Sequence, residues 1–145
     1  MPTAQDILAK KTGEVAMIAE DATVMEAAKI MSDRRIGSLV VGRREKVVGI
    51  FTERDVLNRV VARHLDPQTT FIKDVMTTPV AFCQPTTKLA ECRNVMTEKR
   101  IRHLPVIQNN RLLGMISSGD ILALEFGEQQ QTIEYLHEYL YDGTR

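Results

Sequence analysis

A chain of 145 residues with 43% hydrophobic and 26% charged residues has an ordinary globular composition and is long enough to bury a core. Nineteen basic residues balance nineteen acidic ones, so no global field draws the chain to nucleic acid or an anionic membrane. Its longest apolar stretches are too short to span a bilayer. The N-terminus MPTAQDILAKKTGEV has no apolar signal-peptide core with a cleavage site. Cys83 and Cys92 lack partners at metal-site spacing and fit buried, reduced thiols. These features predict a cytoplasmic protein.

In chain order, EVAMIA (14–19) reads as a short strand. TVMEAAKIMSDRR (23–35) carries Val24, Ala27, Ala28 and Met31 on one helical face, with Thr23 at its N-cap. IGSLVVG (36–42) and VVGIFT (47–52) are strands around the polar turn RREK. ERDVLNRVVARHL (53–65) is helical, with Val56, Leu57, Val60 and Val61 inward. The segment 66–79 turns at Asp66–Pro67 and becomes partly helical. The order then returns: PVAFCQ (79–84) as strand, KLAECRNVMTEKR as helix, IRHLPVI and LLGMIS as strands about QNNR, and SGDILALEF as helix.

This return is a duplication. Residues 21–60 align without a gap on 86–125, an offset of 65, and polar positions agree as well as apolar ones (Glu26/Glu91, Arg35/Arg100, Gly49/Gly114, Asp55/Asp120). The fold expected is α+β, two strand–helix–strand–strand–helix repeats packed about a pseudo-twofold axis. The first repeat spans 1–65, and the second, with its linker, 66–127. Residues 128–145 form a terminal helix with Ile133, Leu136 and Leu140 on one stripe, suited to docking on its own domain or to dimerisation.

Thr52 and Ser117 each end a strand, and Asp55 and Asp120 follow in the first turn of the next helix. Locally this is a capping box. The same turn also exposes helix N-terminal amides to an anion or polar ligand, and its carboxylate suits a ribose diol. Arg34–Arg35 and Lys99–Arg100 complement helix C-terminal dipoles, and His64 and His137 are ordinary surface residues. Arg102 and His103 are adjacent cations in an apolar strand and call for a role. As strand neighbours they start on opposite faces, so both reach one ligand only at the strand's end, where His103 is partly charged at neutral pH.

The doubled pattern, an apolar strand with glycine followed by Thr or Ser and then Asp, resembles a pair of cystathionine-β-synthase (CBS) domains, a stand-alone Bateman module. That resemblance implies a regulatory unit binding an adenine nucleotide (AMP, ADP, ATP or NAD) or S-adenosylmethionine in clefts between the sheets. It implies ribose contacts from Asp120, sugar or phosphate contacts from Ser117 and Ser118, and adenine flanked by Thr78 and Cys83. Ile101, Arg102 and His103 would pack on the base and face the phosphates. The first-repeat counterparts are Ile18, Ile36, Gly37, Ser38, Thr52 and Asp55, with Gly13 in place of Thr78 and Arg54 reaching across the axis.

Three functions are weighed: a non-catalytic nucleotide sensor for an unidentified regulated protein, a ligand-free dimeric scaffold, and a nucleotide enzyme. No Walker loop, GxGxxG turn or nucleophile–base pair supports the last. A twofold homodimer is expected through Val56, Val60, Ile121 and Leu124, with no nucleic acid or membrane partner.

Overall fold

The computed structural model describes residues 1–11 and 15–127; the terminal helix expected over 128–145, and Gly13, lie outside them. Among the described residues the elements run α1 (Ala4–Leu8), β1 (Met17–Ala19), α2 (Val24–Arg34), β2 (Ser38–Arg43), β3 (Lys46–Thr52) and α3 (Glu53–Asp55). After α3 the helix continues as a π-helix, Val56–Val61. Then come α4 (Ile72–Val75), α5 (Leu89–Lys99), β4 (His103–Gln108), β5 (Arg111–Ser117) and α6 (Ser118–Glu125). The α+β duplication read from the sequence is the fold observed.

The repeat reproduces itself in detail. Thr23 caps α2 with Glu26 closing the box, and α2 and α5 both end in a left-handed arginine, Arg35 and Arg100. A left-handed residue terminates the helix and swings the chain into the following strand. Both hairpins carry a bulge at the same place, after Val41 and after Val106. Their turns use left-handed Arg44 and Asn109–Asn110.

The strand expected over 79–84 is the main departure. β1 pairs in parallel with β2 over three residues, whereas its counterpart makes a single parallel bridge, Cys83 to Val106. The cause is Pro105. The corresponding Val40 donates its N–H to Ala16, and proline has none to give. A second departure concerns the helix after Asp55. Val60 is buried and Val56 half-buried, but Leu57 and Val61 are 59% and 60% exposed. The inward stripe is therefore narrower than the four-residue stripe expected.

Two apolar cores result, and the segment leading into each repeat packs on the other. α1, which sequence periodicity did not suggest, buries Ala4 and Ile7 with Leu89, Cys92, Leu104 and Ile121. α4 buries Ile72 and Val75 with Val24, Leu39, Phe51 and Val60. Main-chain bonds tie these lead-ins down: Ala4 donates to Thr87, and Val24 donates to the Thr70 carbonyl. Between the cores the hairpins meet where Val47 donates to the Asn110 carbonyl.

Candidate functional site

Each strand-to-helix turn builds the capping box its sequence implies. Thr52 Oγ1 accepts from the Asp55 N–H (3.2 Å), and the Thr52 N–H donates to Asp55 Oδ2 (3.0 Å). Ser117 and Asp120 repeat this at 3.0 and 2.9 Å. Ser117 Oγ thereby accepts one bond of the cap.

Two adjoining clefts of about 580 and 750 Å³ open between the repeats. Arg35, Ile36, Gly37 and His103 line both. The smaller adds Met31, Glu53, Arg102, Ser117 and Ser118, and the larger adds Lys11, Val15, Ala16, Met17, Ser38 and Gly114. Arg102 and His103 converge because β4 begins at His103, so Arg102 precedes the pleat. Two equivalent main-chain bonds fix the walls: Glu53 donates to Gly37 O at 3.0 Å, and Ser118 to Arg102 O at 2.9 Å. Gly37 lets the Glu53 side chain lie close, since a Cβ there would stand 3.3 Å from it.

The clefts thus draw on both repeats. Ile36, Gly37 and Ser38 share them with Arg102, His103, Ser117 and Ser118. Asp120 does not itself line either cleft; it is joined to two residues that do, Ser117 and Lys11. Thr52, Asp55, Ile18, Ile101, Thr78 and Cys83 line neither. Ile18 belongs to the first core, and Ile101 packs against the second. Cys83 is buried with its N–H and carbonyl both engaged by β4, to Pro105 and from Ile107. Thr78 is exposed, and Arg54 crosses to the other repeat, where it donates to the Arg100 carbonyl at 3.4 Å.

Three residues that sequence reasoning missed surround the carboxylates. Lys11 Nζ donates to Asp120 Oδ2 (2.9 Å) and to Met115 O (2.8 Å). Thr77 Oγ1 donates to Asp55 Oδ1 (2.9 Å), and Arg59 Nε stands 3.5 Å from the same oxygen. Only Arg59 left a trace in the sequence, one helical turn after Asp55 where the second repeat has Leu124.

Desolvation raises the Asp120 pKa, but hydrogen bonds from Lys11 and Ser117 outweigh it and hold the carboxyl below its ordinary value. Burial, helped by the charges of Lys11 and Arg102, holds His103 below the usual imidazole range. The imidazole therefore carries less charge at neutral pH than an unperturbed one, and the positive charge lining the clefts comes mainly from Arg34, Arg35, Arg102 and Lys11. A hydrogen bond with Cys92, and then burial, push the Cys83 thiol up, and both cysteines are free. Among the described residues no His, Cys, Asp or Glu cluster is placed to hold a metal ion, and no helix is long and apolar enough to cross a membrane.

The model of one family, the CBS domain, matches the chain twice, over residues 4–62 and 72–127. The chain belongs to the CBS-domain family. It is similar to the mitochondrial CBS domain-containing protein CBSX3 of Arabidopsis thaliana, 34% identical over 85% of this chain and 62% of that protein. It therefore spans under two thirds of that relative. This CBS pair also resembles a putative signal-transduction protein with CBS domains from Burkholderia ambifaria, with TM-score 0.81 and 33% identity over 88% of this chain and 96% of the other. The CBS domain pair of protein MJ0100, solved in complex with 5′-methylthioadenosine and S-adenosyl-L-methionine, is similar at TM-score 0.74 and 26% identity, covering 88% and 98%.

Proposed function

We propose that this CBS pair is a non-catalytic sensor that binds an adenine nucleotide (AMP, ADP, ATP or NAD) or a related adenosyl compound and regulates a separate protein as a twofold homodimer. The observation that carries the reading is the convergence of Arg102, His103, Ser117 and Ser118 with Ile36 and Gly37 on one cleft beside an ionised Asp120. Apolar Ile36 suits a base, the carboxylate a ribose diol, and Arg102 a phosphate, which a guanidinium can grip with two parallel bonds. The MJ0100 pair supports the ligand class, since it was solved with two adenosyl compounds.

A thermal-shift panel with AMP, ATP, NAD and S-adenosylmethionine tests the proposal. A ligand at a hundred times its Kd stabilises the fold by about 2.7 kcal/mol. In a domain of this size that raises the melting temperature by roughly 5–10 °C. No shift with any of the four at millimolar concentration would leave the ligand-free scaffold as the remaining reading.

A further inference from the structure

We infer that the chain carries one ligand site and not two: the Asp120 half is the receptive one, and the Asp55 half is closed by the protein's own groups. This deepens the sensor reading and rests on it.

The two carboxylates occupy equivalent turns, but their covers are built differently. At the first, the main chain of Thr77 pairs with the edge of β3 in both directions, its N–H donating to Ile50 O (2.8 Å) and its carbonyl accepting from Ile50 N (3.1 Å). The Thr77 hydroxyl then donates to both Asp55 oxygens, at 2.9 and 3.1 Å, and Arg59 stands over Oδ1. Asp55 is left 5% exposed, with both oxygens occupied. Uncovering it means breaking backbone pairing.

At the second carboxylate, the flexible Lys11 side chain makes the corresponding contacts among the described residues. The carbonyl equivalent to Ile50 is Met115, and its partner is the Lys11 ammonium, which also holds Asp120 Oδ2. Asp120 Oδ1 has no hydrogen-bond partner among the described residues, and the side chains of Lys11 and Asp120 are 41% and 28% exposed. The chain length agrees with this difference. Leu8 sits against Gly114 as Met76 sits against Gly49, yet Leu8 and Met76 are 68 residues apart where the repeat offset is 65. The lead-in at the Asp120 side is therefore three residues longer. Among the described residues, a Lys11 rotamer change is enough to remove this cover from Asp120 Oδ2, with no main-chain pairing lost.

Calorimetric titration of the whole chain, with whichever of AMP, ATP, NAD and S-adenosylmethionine stabilises it, gives the stoichiometry. Amide hydrogen exchange with the same ligand gives the location. One molecule per chain is expected, with added protection over 114–120 and none over 49–55. Two molecules per chain, or protection gained over 49–55, would overturn the single site while leaving the sensor reading intact. Absence of binding by all four overturns both.

Discussion

Asp120 and Lys11 lie 109 residues apart in sequence, yet the ion pair between them sets the charge at the edge of the cleft. Because the folded pKa of Asp120 lies below its unfolded value, the pair's contribution to stability is fully present above the unfolded value of about 3.9. It is lost as pH falls through the lower, folded value. Both groups are partly exposed, so the contribution is small, about 0.2–1 kcal/mol after screening. Lys11→Met is expected to lower the melting temperature by roughly 1–3 °C at pH 6–7 and to match the parent once Asp120 is protonated in both states. A melting series from pH 2 to 7 reads this directly. A gap that stays constant to pH 2 would mean that Lys11 acts through its aliphatic stem.

Two glycines show how the elements fit together. Gly49 on β3 and Gly114 on β5 give the strand surface room for a side chain of the neighbouring lead-in, Met76 and Leu8 respectively. A Cβ on Gly49 would stand 2.5 Å from Met76 Sδ and 3.0 Å from its Cγ, whereas one on Gly114 would meet a single Leu8 methyl at 2.5 Å. At Gly114 only the far end of Leu8 is too close, whereas at Gly49 the contact reaches Met76 Cγ, nearer the root of the side chain, so relief there needs a larger movement. Both alanine substitutions overpack the contact, at about 1–3 kcal/mol, and Gly49→Ala is expected to cost more than Gly114→Ala. Urea unfolding of the two variants measures the order. The reverse order would show that the α1 contact is the stiffer one.

For the whole molecule, the question is what covers the outer helix faces. The residues expected to meet a partner, Val56, Val60, Ile121 and Leu124, are buried or half-buried within the chain's own cores. The exposed apolar side chains are instead Leu57 and Val61 on the π-helix, and Leu122 and Phe126 at α6. Leu57 and Leu122 are equivalent positions of the repeat, so the exposed apolar positions recur with the pseudo-twofold symmetry of the fold. Apolar positions related in this way are suited to an isologous contact. Light scattering at micromolar concentration is expected to give the mass of two chains, falling to one for the Leu57→Glu, Leu122→Glu double variant. A parent protein with the mass of one chain would overturn the dimer.

Much of the fold was legible before any coordinates, because it rests on local pattern and on duplication. The helix at 24–34 follows from apolar spacing and the Thr23–Glu26 box, and the hairpins from alternating strands around polar turns. The turn placing Ser117 before Asp120 declares itself through capping chemistry, which acts over three residues. Residue patterns of this kind depend on neighbours in sequence, and a second copy confirms them. What only the tertiary structure decided are the long-range partners. Cross-packing of α1 and α4, the inward turn of Val56 and Val60, and the covering of Asp55 by Thr77 and of Asp120 by Lys11 depend on which surfaces meet. Two equal sequence motifs thereby acquire unequal surroundings. A hydrogen bond made across the pseudo-axis can be as strong as a local one, but it leaves no periodicity along the chain from which to read it.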